Sequence, residues 1–217
     1  MINPALPKGN KLSSIRKSGV KLIIGFIFKE EGILSKAESI LKRLFGKIDF
    51  ESQTLAFTHT NYYEAEFGKN LKRKFISFQN LIPPQNLPKI KITTNTIEKK
   101  LSKKGLRSIN IDPGYLDMAK LILASTKDYK HRIYLDKGIY AETTLFYQNK
   151  SFAPLEIPKH SEGKTRFLTG FTSWEWTYPD YKTADYIRVF NQIREIYAKQ
   201  RKKGGFLKYA FGLFRIL

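Results

Sequence analysis

Between Val20 and Ile111 the hydrophobic period switches in a fixed order, and that order constrains the fold more than any other feature. VKLIIGFIF (Val20–Phe28) is a continuous apolar run of strand length. Ser35-Lys36-Ala37-Glu38 has the form of a capping box, and Ala37, Ile40, Leu41, Leu44 and Phe45 follow as one helical stripe that Gly46 ends. Asp49 to Thr58 and Leu71 to Phe78 read as two further strands. Leu87, Ile90, Thr94, Ile97 and Leu101 repeat at helical spacing, with Pro88 near the start and Gly105 past the end. Arg107 to Ile111 closes the series as a short strand.

Strand, helix, strand, strand, helix, strand is the order of a ferredoxin-like βαββαβ unit. The expected class is therefore α+β with a mostly antiparallel sheet. Pro113-Gly114 reads as a turn after it, and Leu121 to Thr126 leads to a hairpin. Thr183 caps a C-terminal helix that carries Tyr186, Phe190, Ile193 and Tyr197 on one stripe. The expected domain covers residues 20–200, flanked by a flexible basic arm, 1–19, and a tail, 201–217. Asn149 to Phe171 reads as irregular chain.

His131 to Leu135 and Ile139 to Tyr147 form the hairpin, joined by Asp136-Lys137-Gly138, with Gly138 as the left-handed residue. Pairing Leu135 with Ile139 sets Arg132 opposite Glu142 and Tyr134 opposite Tyr140. Side chains alternate, so His131, Ile133, Leu135, Ile139, Ala141, Thr143 and Leu145 share the other, apolar face, which is expected to be buried. The polar face suits two roles. It is an exposed ion pair beside a tyrosine pair, or a wall that binds an anion or a base.

The charge balance points to partners. Lys plus Arg is 39 against 19 for Asp plus Glu, a net charge of +20, which favours polyanions such as RNA, nucleotides or anionic lipid. There is no cysteine, which excludes disulfides, thiolate metal sites and a cysteine nucleophile. No apolar run is long enough to span a bilayer, and no signal peptide is evident, so a cytoplasmic location is expected. The tail offers a peripheral route to an anionic membrane surface: Lys199–Lys203 is basic, Gly204-Gly205 is a hinge, and apolar residues fill Phe206 to Leu217.

Familiar motifs are absent or incomplete. Gly163-Lys164-Thr165 lacks the glycine that a phosphate loop needs at position 158, which is Pro158. His59, His131 and His160 are far apart in sequence, and a zinc site built from them is disfavoured. In an extended Tyr62-Tyr63-Glu64-Ala65-Glu66, Glu64 and Glu66 would share one side, as a metal or acid–base pair or as a solvated edge. Asp112 before Pro113 is held extended at a strand end, where sites collect, though it also suits a turn. Tyr178-Pro179-Asp180-Tyr181 leads into the last helix, and Asp180 suits a helix N-terminus.

TNYYEAEFG (Thr60–Gly68), LKRKFISF, the N-I-D-P-G-Y-L run, LASTKDYKHRIYL, GIYAETTL and WTYPDY occur here in one order. Together they resemble a bacterial family, domain of unknown function 4416, from about Lys21 to about Gln200. The family pattern has Met where this chain has Phe67, and Glu156 to Ser173 looks like an insertion. The resemblance implies no established activity and no cofactor. It implies a shared polar site drawn from the named blocks. Glu64, Glu66, Asp112, His131 and Glu142 are the candidates for acid–base or metal chemistry. Tyr62, Tyr63, Lys127, Arg132, Tyr140 and Asp180 are the candidates for ligand binding. Three functions follow as expectations. The first is a pocket for a phosphate-bearing ligand, a nucleotide or an RNA end. The second is a metal-assisted or acid–base enzyme. The third is an adaptor at a membrane surface or on a protein partner.

Overall fold

The computed structural model describes residues 19–58, 60, 62–103, 105–147, 171–173 and 176–202. Residues 1–18 of the basic arm, the tail beyond Lys202, Gly163-Lys164-Thr165, His59 and His160 lie outside the described residues.

The first half is built as its periodicity predicts. Strand β1 (Val20–Phe28) leads to helix α1 (Glu31–Phe45), then to β2 (Ile48–Glu51) and the short β3 (Leu55–Ala56). Helix α2 (Glu64–Phe67) is a single turn. It is followed by β4 (Lys72–Ile82), α3 (Leu87–Lys100) and β5 (Ile109–Leu116). The sheet order β2-β4-β1-β5 is the 4-1-3-2 order of a ferredoxin-like unit, read backwards. The order continues through β6 (Lys120–Ser125), β8 (Ile139–Tyr147) and β7 (Ile133–Asp136), and every pairing is antiparallel. Strand β9 (Phe171–Ser173) adds to β8, inside the stretch the sequence leaves irregular or inserted. Helix α4 (Ala184–Lys202) ends the described chain, with the Thr183 hydroxyl accepting the Tyr186 N–H at 3.4 Å as its cap.

Two cores sandwich the sheet. One face of β1, β4 and β5 packs Leu22, Phe26, Ile76 and Ile111 against Leu34 and Leu41 of α1 and Ile90 and Ile97 of α3. The opposite face packs Ile23, Phe75, Leu121 and Leu145 against Phe190, Ile193 and Tyr197 of α4. No helix among the described residues is long and apolar enough to cross a membrane.

Five local expectations are corrected. Ser35 does not cap α1; it lies inside the helix and its hydroxyl donates to the Glu31 carbonyl at 3.0 Å. Burial of Ile33 and Leu34 draws the preceding turn into the helix. The strand read over Asp49–Thr58 is broken, because the Ser52 hydroxyl takes the Phe75 N–H at 2.9 Å and interrupts the ladder. The hairpin loop has two residues, not three. Lys137 and Gly138 both have positive φ, Asp136 pairs with Ile139, and Leu135 is bulged, which preserves the Tyr134–Tyr140 opposition. The face expected to be buried is exposed at β7, where Ile133 is 71% accessible, whereas Arg132 and Glu142 are buried. Strand β7 is the sheet edge: the apolar cluster of Leu87, Ile122, Ala124 and Ile139 does not include its residues, while Tyr178 bonds Arg132 on the polar side.

The fifth correction positions the site. Pro113-Gly114 is not a turn; it lies within β5, opposite Ile24 and Ile23 of β1. On its other edge β5 pairs with β6 only at Gly114–Leu123, Tyr115–Ile122 and Leu116–Leu121. Pro113 has no N–H to donate, and beyond it the two strands part. Strand β5 stays with β1 down to Ile109, and β6 stays with β8 up to Ser125. The sheet therefore forks. At the fork Gly114 comes so close to β6 that a Cβ there would lie 2.4 Å from the Ile122 carbonyl oxygen.

Gly114→Ala is accordingly expected to cost ~1–3 kcal/mol, the range of an overpacked core. Gly32→Ala on α1 meets open space and should be neutral or stabilising by up to ~1 kcal/mol. Denaturant unfolding of the two variants checks this; equal stabilities would mean that β6 moves freely away from β5.

Candidate functional site

The fork leaves backbone groups of β5 without a strand partner, and α3 supplies one. The Ile111 N–H donates to Glu98 Oε1 at 2.6 Å, and Lys91 Nζ donates to the Ile111 carbonyl at 3.2 Å. Burial pushes the Glu98 carboxyl up, partly offset by the Lys91 charge and the Ile111 N–H. Between the diverging strands lies a pocket of about 610 Å³, within the range of small-ligand sites. Asn110 and Asp112 of β5 line one side, Leu123 to Ser125 of β6 the other, and Lys91, Asn95 and Glu98 the α3 end.

At the floor is Arg73 of β4, 2% exposed. Its guanidinium donates to the Tyr181 hydroxyl and lies 4.8 Å from the Phe75 ring centroid. Burial holds the Tyr181 phenol well above its ordinary pKa, so it stays neutral. Arg73 and Lys91 share one carboxylate: Asp112 is 3.5 Å from Arg73 Nη1 and 3.4 Å from Lys91 Nζ. Asn110 Nδ2 donates to the same Asp112 at 2.6 Å. The buried Arg73 Nε has no hydrogen-bond partner among the described residues.

Two further arginines are held firmly by their own protein. Arg132 donates to Glu142 at 2.7 Å, Ser125 Oγ at 2.8 Å, the Lys127 carbonyl at 3.0 Å and the Tyr178 hydroxyl at 2.6 Å. Arg107 grips Glu66 through Nε at 2.8 Å and Nη2 at 2.6 Å, and reaches Glu98 and Asn110 at 3.3 and 3.2 Å. Each arginine thus has four of its roughly five N–H donors engaged. The Arg107 hydrogen bond holds the Glu66 carboxyl below its usual range. Lys127 differs: it makes no ion pair among the described residues. It donates to the Tyr62 hydroxyl at 3.0 Å and sits 4.6 Å from that ring's centroid.

Of the residues picked out in the sequence, Tyr62, Tyr63, Asp112, Lys127, Arg132, Glu142 and Asp180 all line this pocket. Glu64 and Glu66 do not share an extended edge, because α2 forms there. Glu66 stands behind the pocket wall as the partner of Arg107, and Glu64 is outside the lining. His131 also stands behind the wall, 3.3 Å from Glu142 and stacked between Tyr129 and Trp176. Tyr140 packs edge-on against Tyr134, outside the lining. Among the described residues no three His, Asp or Glu side chains are grouped as a metal ion requires.

Arg73, Lys91, Asn95, Glu98, Arg107 and Asn110 are lining residues that sequence reasoning did not select. A signal existed for three of them. Lys91, Asn95 and Glu98 each follow a residue of the apolar seam, Ile90, Thr94 and Ile97, and form a polar stripe beside it. Arg73 had a weaker one: it alternates with Phe75 and Ser77, on a strand face with no room for a solvated charge.

The sequence model of one family, Domain of unknown function (DUF4416), matches residues 18–160, about two thirds of the chain. No curated protein and no solved structure matches it.

The Arg132–Glu142 pair is buried, contrary to the exposed pair expected from the hairpin. Removing one partner strands the other charge, so Glu142→Ala should cost ~3–5 kcal/mol. Replacing both, as Arg132→Met with Glu142→Leu, should cost less than the sum of the single changes. A double-mutant cycle by denaturant unfolding measures this; a loss below ~1 kcal/mol for each single variant would be the behaviour of a screened surface pair.

Proposed function

We propose that this chain, which belongs to the domain of unknown function 4416 family, binds a phosphate-bearing ligand, a nucleotide or the end of an RNA strand, in the forked-sheet pocket. The observation that carries the reading is the pocket floor. Two nine-tenths-buried cations, Arg73 and Lys91, share one carboxylate at 3.4–3.5 Å, and Arg73 Nε is unpartnered. Buried cations are ordinarily paired and their donors satisfied. A phosphoryl group would complete both, with charge-assisted hydrogen bonds that are shorter than the contacts now made. Lys127 offers a further cation at the mouth, near the exposed rings of Tyr62 and Tyr178, which can meet a base.

The acid–base reading draws less support. Glu66, Glu98 and Glu142 are each tied to an arginine, and Asp112 to Arg73, Lys91 and Asn110. Carboxylates held this way position cations, and a proton shuttle would first have to break those pairs. The adaptor reading rests on the tail, beyond the described residues.

Calorimetric titration with the four ribonucleoside monophosphates and their parent nucleosides tests the proposal. At least one monophosphate should bind, and its nucleoside should bind far more weakly. Lys91→Gln and the exposed Lys127→Ala should each weaken binding about tenfold or more, as loss of a charge-assisted hydrogen bond of ~1.5–3 kcal/mol implies. Failure of every phosphate-bearing probe, or equal affinity for nucleoside and nucleotide, would overturn it.

A further inference from the structure

We infer that the end of the sheet opposite the pocket is a docking face for an anionic membrane surface. This is a second surface, and it does not depend on the phosphate-binding reading above.

The strands give the molecule two ends. Strand β1 ends near Ile27, which lines the pocket. At the start of β1, Lys21 donates to Asp49 of β2 and, at 2.9 Å, to Gln200 of α4. Gln200 donates in turn to the Gln79 carbonyl at 3.1 Å, and the Gln79 N–H donates to the Lys47 carbonyl at 2.8 Å. The Tyr197 hydroxyl donates to the Gly19 carbonyl at 2.8 Å. The segment that follows α1, the start of β1 and the last turns of α4 are thereby tied together. Helix α4 links the two ends: it begins at Ala184, just after Tyr181 of the pocket floor, and its 19 residues make it ~28 Å long.

The segments gathered at this far end are basic. Lys42 and Arg43 lie in the last turn of α1 and Lys47 follows it, while Lys199, Arg201 and Lys202 lie in the last turn of α4. All six are exposed, and none makes an ion pair among the described residues. Two nearby carboxylates are already taken, Asp49 by Lys21 and Asp117 by Lys120. Glu195, one turn before Lys199, is exposed and offsets one charge. Residues 1–18, which lead into this end, add Lys8, Lys11, Arg16 and Lys17 and no acid. A field of one sign drawn from three parts of the chain fits an extended polyanion.

The sequence past this end favours a bilayer over a nucleic acid. Lys203 is followed by GGFLKYAFGLFRIL, in which Lys208 and Arg215 are the charged residues. Attachment at a membrane interface strengthens with both apolar area and basic charge, and each basic residue close to anionic lipid adds to it. Nucleic acid has no acyl layer to receive the apolar residues. The tail itself lies beyond the described residues, but the basic face it leaves from does not. Docked by that face, the protein presents its pocket away from the bilayer.

The test is co-sedimentation of the full chain with vesicles of phosphatidylcholine alone or mixed with phosphatidylserine. The chain should pellet with the mixed vesicles, fail to pellet with the neutral ones, and be released as salt rises. Lys42→Ala with Arg43→Ala should weaken binding about tenfold or more. Lys99→Ala with Lys100→Ala removes the same charge from exposed residues at the pocket end of α3, and should change binding by less than about twofold. Phe211→Ser with Phe214→Ser in the full chain should also weaken binding, by loss of apolar area. Equal loss from the two basic pairs would mean that net charge alone drives binding, and would overturn the docking face. Loss from the tail variant with neither basic pair mattering would overturn it too, as would equal pelleting with both vesicles or with neither. Single-stranded RNA bound through Lys42 and Arg43, with no partition onto anionic vesicles, would identify a nucleic acid as the partner instead.

Discussion

The parting of β5 from β6 is the constraint on which the rest of the site depends. An antiparallel ladder propagates as long as each strand offers N–H and C=O groups to its neighbour. Pro113 removes one donor from β5, and Gly114 lets the last pair approach so closely that any side chain would strike the Ile122 carbonyl. The ladder ends there, although both strands continue for several residues on their other partners. A split inside a continuous sheet gives walls far stiffer than loops would. It also creates a debt of unpaired backbone groups that the surrounding side chains must settle.

How that debt is settled determines the chemistry of the pocket. Lys91 and Glu98 of α3 reach the carbonyl and N–H of Ile111, so charged side chains are drawn into a place where a sheet would otherwise exclude them. Each buried charge then needs a partner, and the partners bring their own. Glu98 meets Arg107, Arg107 holds Glu66, Lys91 meets Asp112, and Asp112 faces Arg73. One interrupted ladder thus leads, through successive charge compensation, to a chain of polar residues from α2 to the floor beneath Tyr181.

Much of the fold was legible because hydrophobic period alone separates β1, α1, β4, α3 and α4, each long enough to show it. The hairpin pairing was legible for the same reason, as the Tyr134–Tyr140 and Arg132–Glu142 oppositions show. Its burial was not. Which face of an edge strand meets protein depends on what packs over it, and the cover over Arg132 comes from Tyr178, 46 residues away in sequence. Asp112, Lys127 and Arg132, which line the pocket, could be picked out as candidates because they sit in distinctive local strings. Arg73 and Lys91 could not, since their importance arises from a shared carboxylate that neither string contains. Reading Pro113-Gly114 as a turn was reasonable from local chemistry, yet β1 pairs along that whole segment and keeps it extended.

The distribution of hydrogen-bond donors separates two kinds of cation. Arg132 and Arg107 spend nearly all their donors on acceptors within 3.3 Å, and a ligand reaching for them would have to compete with Glu142 and Glu66. They fix the walls: Arg132 ties the hairpin to Tyr178, and Arg107 ties α2 to α3 and β5. Lys91, with contacts of 3.2 and 3.4 Å, and Arg73, with its Nε unpartnered, are under-bonded by comparison. Lys127 is bound only through a tyrosine hydroxyl and ring. The hairpin sequence singles out Arg132 as the anion binder, but its geometry makes it a strut. The groups with donors to spare are at the floor and at the mouth, at opposite ends of the pocket, which suits a ligand that bears charge at more than one point along its length.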